Sequence, residues 1–179
     1  MNKISALSLL LAGIGLITPP AEAVSLSFSP TTGTVGVGQQ ISFDLIADIG
    51  AEEPVVGFDI NLDFDPTIVF LTNVVFGSNW SDYGSWSGSN LTSLAFPDPI
   101  TGNGVLATLT FNGALMGSTF LSVTFDGLDQ GFALETPGDF AAVSVQDAYV
   151  STVPEPASVA MFLSGLLVLG ALTRRRQAE

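Results

Sequence analysis

The sequence contains no cysteine and no histidine, and it sets only 4 Lys+Arg against 17 Asp+Glu, for a formal net charge of −13. These absences remove whole classes of chemistry. No disulfide framework, no thiolate or imidazole zinc site and no Ser-His or Cys-His nucleophilic dyad can be built from such a chain. Any catalysis would rest on carboxylates, hydroxyls or a hard cation. The few basic residues are confined to the ends: Lys3 at the start, Arg174, Arg175 and Arg176 near the end, and none between. A field of this sign repels phosphate backbones and argues against nucleic-acid binding. It leaves cations, basic partners and neutral sugars as candidate ligands.

Both ends have the composition of addresses. Met1-Asn2-Lys3 is followed by a mostly apolar run from Ile4 to Ile17, then Thr18-Pro19-Pro20 and the small-residue site Ala21-Glu22-Ala23. A charged start, an apolar middle and a small-residue end form a secretory signal peptide, which places residues 1–23 with signal peptidase and the mature start at Val24. The apolar run is short for a retained anchor, since a span needs about 20 residues. At the other end, Val153-Pro154-Glu155-Pro156 precedes an apolar stretch from Ala157 to Leu172 and then Arg174-Arg175-Arg176. The prolines interrupt strand or helix, so the folded domain is expected to stop before them. The stretch is expected to form an apolar helix roughly 24 Å long at about 1.5 Å per residue, and the arginines would hold its end on the cytoplasmic side.

The order of motif, apolar stretch and arginines resembles the PEP-CTERM sorting signal of exported proteins in Gram-negative bacteria, here over residues 153–179. The resemblance implies transient membrane anchoring, processing by an exosortase near the Pro-Glu-Pro, and release or attachment at the cell surface. A permanent single-span anchor would have the same topology and a different final product.

Between the two addresses, Val24 to Thr152 is the size of one domain. Its apolar pattern has period two, and Gly, Pro, Asn and Asp punctuate it at short intervals. Ile41, Phe43, Leu45 and Ala47 alternate with Ser42, Asp44 and Ile46; Phe58, Ile60, Leu62 and Phe64 with Asp59, Asn61, Asp63 and Asp65. Ala107, Leu109 and Phe111, then Leu121, Val123 and Phe125, interleave with Thr and Ser. Each segment therefore has one face for a core and one for water, and two packed antiparallel sheets satisfy all of them. The expected fold class is all-β, a single jelly-roll-like sandwich.

The run Val56-Gly57-Phe58-Asp59-Ile60-Asn61-Leu62-Asp63-Phe64-Asp65-Pro66 resembles a cohesin domain, whose strands carry a similar alternation ending in an aromatic-Asp-Pro turn. Val35-Gly36-Val37-Gly38 and the Gly104-to-Phe111 segment resemble the family's early glycine turn and a later strand. Cohesins are jelly-roll sandwiches that bind dockerin modules, and some cellulose-binding modules share the architecture. By this resemblance Asp59 matches an acidic position that faces the dockerin, and Gly57 falls where such cohesins can carry a polar contact residue.

Two groups of residues are candidates for binding. Asp59, Asn61, Asp63 and Asp65 would leave one side of a strand at intervals near 6.6 Å, two residues at about 3.3 Å each. They could recruit Ca²⁺ or a partner's basic groups, or form a solvated face that protects an edge. Asp59, Asn61 and Asp63 match the opening of an EF-hand loop, but Phe64 and Phe70 stand where its glycine and bidentate Glu belong, which favours the solvated face. The second group is Trp80, Tyr83 and Trp86 within Ser78 to Gly88, both tryptophans of the chain in one segment. Such rings either stack on sugars or form a protein contact, or they close the open end of the sandwich. No acid lies in a recognisable catalytic motif, so the expectation is a non-enzymatic protein-binding or matrix protein without a resident cofactor. A carbohydrate-binding module for polysaccharide is the second reading. A carboxylate-based glycoside hydrolase is a remote third.

Overall fold

The computed structural model describes residues 24–127, 130–155 and 160–167. The expected signal peptide at residues 1–23 and the arginines at 174–176 lie outside the described residues, as do Pro156 and much of the tail. Residues 160–167 are helical, and Met161, Phe162 and Leu167 there are exposed. Among the described residues no helix is long and apolar enough to cross a membrane.

The described residues form twelve strands: β1 (Val24–Ser29), β2 (Thr32–Gly36), β3 (Gln40–Ile49), β4 (Val55–Asp63), β5 (Val69–Phe76), β6 (Ser85–Ser87), β7 (Asn90–Leu94), β8 (Gly102–Gly113), β9 (Gly117–Thr124), β10 (Gly131–Leu134), β11 (Val143–Gln146) and β12 (Ala148–Val153). One sheet has the order β11-β1-β3-β8-β5. The other runs β2-β12-β9-β4-β7-β6, with β10 also pairing β4. The alternation read from the sequence becomes the two inner faces. Phe43, Leu45 and Ala47 of β3 with Leu109 and Phe111 of β8 meet Phe58, Ile60 and Leu62 of β4 with Leu91, Leu121 and Val123, all buried. Phe111 takes the edges of both Phe43 and Phe64, at 6.2 and 5.2 Å between ring centroids.

The sheets are not purely antiparallel. β1 pairs β11 and β2 pairs β12 in parallel. The first stretch of chain serves one sheet as β1 and crosses to the other as β2, and the last stretch does the same as β11 and β12. No hairpin joins first to last, so nothing forces them to run in opposite directions. The last strand runs up to the first proline: Val153 of the sorting motif is still paired, opposite Gly36.

Candidate functional site

β4 lies inside its sheet, with β7 on one side and β9 and β10 sharing the other. Its inward residues are locked in the core. Phe58 alone packs against Trp80, Phe132 and Phe76 at 5.0, 5.7 and 6.3 Å. Because successive side chains alternate, burying Phe58, Ile60 and Leu62 commits Gly57, Asp59, Asn61 and Asp63 to the outer face.

On that face register, not sequence proximity, supplies the partners. Asn61 is opposite Asn90 and Asp59 opposite Thr92 on β7, so Asn90 lies within reach of both. Its amide donates to Asp59 Oδ1 at 2.6 Å and to Asn61 Oδ1 at 3.2 Å. Asn61 Nδ2 in turn donates to Gln130 Oε1 at 3.0 Å, which also accepts the backbone N–H of Asp126 at 2.6 Å. Asp59 is thus held by an amide donor, and Asn61 is satisfied at both ends. Asn90 and Gln130 were not singled out in the sequence, and nothing local to either marks them. The β6–β7 turn that brings Asn90 into place is legible, since Gly88 has a φ of 62°, the left-handed geometry that a two-residue hairpin turn demands.

Asp63 is exposed and stands opposite Ser122 of β9. Asp65, expected on the same row, does not lie on it. β4 ends at Asp63, and Asp65 opens a turn in which its carbonyl accepts from Ile68 N, while its Oδ1 accepts from the Thr67 N–H at 2.8 Å and the Thr67 hydroxyl at 2.7 Å. Those two bonds hold the Asp65 carboxyl below its ordinary value, the Thr67 hydroxyl contributing most. With Asn61 between the acids and Asp65 turned away, the described residues gather no group of three or more acidic side chains that could hold a metal ion.

The three aromatics of the 78–88 segment do not share a platform. Trp80 is 3% exposed and set edge-on against Phe58; its carbonyl accepts the buried Ser93 hydroxyl at 2.8 Å. It is therefore a core residue. The loop is drawn inward because Gly77 N binds Leu106 O at 2.9 Å, an approach so close that a side chain at Gly77 would strike the Val105 carbonyl. Trp86 is 38% exposed, but register places it opposite buried Leu91, on the core-facing side of edge strand β6. Tyr83, 49% exposed, packs edge-on to Phe96 at 6.0 Å.

Other apolar groups flank the β4 row. Leu94, 58% exposed, is opposite Gly57, and its side chain lies so close over that glycine that a methyl there would come within 2.9 Å of it. The position resembling a polar contact is thus covered by a leucine. Across the row, Phe120 of β9 and Tyr149 of β12 pair directly and pack edge-on at 5.4 Å, both exposed. The outer face therefore has a hydrogen-bonded acidic and amide centre with apolar groups on either side. A separate cleft of about 350 Å³ opens between the end of β3, the start of β8 and the 77–80 loop. Its polar lining is Ser78, Asn79, Thr101 and Asn103 without any Asp or Glu, so it offers no acid and base for glycosidic cleavage.

This strand arrangement has clear counterparts among solved structures. The cohesin module of a Clostridium perfringens family 33 glycoside hydrolase superposes with a TM-score of 0.56 at 10% identity, over 68% of this chain and 91% of that one. The sandwich is cohesin-like. A non-cellulosomal cohesin from the archaeon Archaeoglobus fulgidus matches at 0.53 and 14% identity, covering 77% and 96% of the two chains. A type I cohesin–dockerin complex from Clostridium thermocellum matches at 0.53 and 12%, covering 73% and 99%. At these identities the superpositions show the fold alone. The PEP-CTERM protein-sorting motif matches residues 152–177, overlapping the last two residues of β12, and marks the chain for export and membrane-associated sorting. No curated protein matches the sequence.

Proposed function

We propose that the protein is an exported, non-enzymatic binding module whose cohesin-like sandwich docks a protein partner through the outer face of β9, β4 and β7. The observation that carries this reading is that one outer face holds the Asp59–Asn90–Asn61 network, exposed Leu94 opposite Gly57, and the exposed Phe120–Tyr149 pair past the Asp63 end of β4. Protein interfaces combine aromatic and apolar anchors with a polar set that fixes register, and this face has both. The C. thermocellum structure, of similar fold, is a complex with a dockerin. A dockerin-like partner for this chain would meet a leucine over Gly57 and would present basic or amide groups to Asp59 and Asp63. Signal peptidase would remove residues 1–23. The C-terminal stretch would anchor the chain transiently until an exosortase acts near Pro154–Pro156, leaving the module at the cell surface or in the extracellular matrix.

A photo-cross-linking group placed at Leu94, compared with one at Thr110 on the outside of the other sheet, tests the docking face in cells that export the protein. Capture of a protein partner from Leu94, lost on Asp59→Ala and absent from Thr110, is the expected result. Capture that is equal from the two sheets, or absent from Leu94, would overturn it. The second reading, a polysaccharide ligand, is favoured by the exposed rings of Tyr83 and Trp86. On a glycan array it requires binding that is lost in Tyr83→Ala or Trp86→Ala.

A further inference from the structure

The end of the sandwich from which the sorting signal leaves is built differently from the opposite end. Val153 closes β12 there, and its carbonyl accepts Val37 N at 3.0 Å. Gly38 N binds Gly113 O at 2.8 Å and Ala114 N binds Ile68 O at 2.8 Å, so the Val37–Gln39 turn, Ile68 and the β8–β9 hairpin are gathered at this exit. Gly117 is opposite Thr152, which brings the hairpin tip, Leu115 and Met116, alongside Val153. Leu115 and Met116 are 61% and 65% exposed, and Val153 is exposed too. Among the described residues the acids nearest this end are Asp65 and Glu155, with Asp63 two residues further into β4. The opposite end carries Glu52 and Glu53 before β4, Asp98 before the Ile100–Val55 bridge, and Glu135 and Asp139 beyond Leu134, which is opposite Val55.

We infer that the β8–β9 hairpin tip, Leu115-Met116 with Val153 beside it, is a membrane-contacting surface that seats the domain on the lipid bilayer while the C-terminal stretch is anchored. The inference rests on the proposed transient anchoring and adds to it an orientation. Only Pro154, Glu155 and Pro156 separate Val153 from the apolar stretch, and Gln39 Nε2 donates to Glu155 Oε1 at 3.0 Å, which ties the linker back to the domain. From Glu155 to Ala157 the chain then reaches at most roughly 7 Å, two residues at about 3.5 Å each. The headgroup layer is itself roughly 5–7 Å thick on each side. An exit end held that close to the hydrocarbon boundary has its exposed Leu and Met at the depth where apolar side chains partition favourably. The acids at the far end favour the same orientation, because an anionic lipid surface repels them away from the bilayer. With no Lys or Arg in the domain, the contact is apolar rather than electrostatic.

The absence of native cysteine makes the test direct. The exported chain from Val24 to Glu179, without residues 1–23, carrying Met116→Cys, Leu115→Cys or, at the far end, Glu52→Cys is labelled with an environment-sensitive fluorophore and reconstituted into phosphatidylcholine vesicles containing nitroxide-labelled lipid. Flotation with the vesicles reports whether the tail anchors at all. The expected result is flotation of all three, with blue-shifted and quenched emission at 115 and 116 and neither effect at 52. Flotation without quenching at 115 and 116 would overturn the hairpin contact and leave the anchor reading standing. Equal quenching at 52 would overturn the orientation. Failure to float would overturn the anchoring on which the inference rests. A blue shift at 115 or 116 that is lost when protein density is lowered in vesicles of the same nitroxide-lipid content would assign the tip to a second copy of the chain and overturn the lipid contact.

Discussion

Asp65 shows how a single carboxylate can leave a charged row for a local role. Its folded-state value is lowered by the hydrogen bonds from Thr67, the hydroxyl first and the backbone N–H second. A lowered carboxyl contributes stability above the ordinary carboxylate value and loses it as pH falls through the lowered one. Thr67→Val deletes the larger cause, so Asp65 should titrate closer to its ordinary value of 3.8 when followed by carboxyl-carbon NMR. An unchanged midpoint would exclude the Thr67 hydroxyl as the main cause. Among the aromatics, Phe58 is the residue on which three rings converge, and Trp80 is one of them. Phe58→Ala and Trp80→Ala should each cost about 3–5 kcal/mol in denaturant unfolding, because each leaves a cavity in a packed core. Tyr83→Ala should cost less than about 1 kcal/mol, as expected of a largely solvent-facing ring. A Trp80 variant with near-normal stability would contradict its assignment to the core.

At the scale of the element, β4 divides its labour by face. The inner residues hold the two sheets together, and the outer residues hold an arrangement that no inner contact requires. Asn90→Ala removes the donor shared by Asp59 and Asn61 and leaves Asp59 without its amide partner. Hydrogen bonds to charged groups contribute about 1.5–3 kcal/mol, and partial exposure of Asp59 places the expected loss at or below the lower end of that range, measured by chemical denaturation. Leu94→Asp should act in the opposite sense. It leaves stability within about 0.5 kcal/mol, since the side chain is exposed, while adding a charge beside Asp59 on the proposed docking face. Partner capture that survives Leu94→Asp undiminished would remove Leu94 from that face.

For the whole molecule the dominant fact is uncompensated negative charge. Such a charge destabilises the compact state by self-repulsion, so added NaCl should raise the melting temperature of the domain. A specific cation site would add a saturable, ion-selective stabilisation by mass action. Because Asn61 interrupts the acids and Asp65 turns away, Ca²⁺ and Mg²⁺ at matched ionic strength should give equal melting shifts. A larger, saturating shift with Ca²⁺ would establish a site that the apo geometry does not gather. Intact mass of the exported protein tests the two addresses together. The expected mature form lacks residues 1–23 and the chain beyond the Pro154–Pro156 region, and retention of Arg174–Arg176 would leave only a permanent anchor.

How much of this was legible beforehand follows from the range of the interactions involved. The alternation at Ile41–Ala47 and Phe58–Phe64 is a local property, and it determined by itself which residues face the core and that the fold is a sandwich. The prolines at 154 and 156 likewise forbid strand pairing there, and β12 ends at Val153. Neighbours across strands are not local. Asn90 meets Asp59 from 31 residues away and Gln130 meets Asn61 from 69, and only the register of β4 with β7 and the return of the chain into β10 bring them together. The parallel pairing of β2 with β12 was hidden for the same reason. Trp80, Tyr83 and Trp86 are near one another in sequence, yet the tertiary structure separates them. The tie between Gly77 and Leu106 pulls Trp80 inward onto Phe58, while β6 runs along the sheet edge and leaves Trp86 partly in solvent, because chain proximity fixes distance along the backbone but not how deeply a ring will be covered by the rest of the fold.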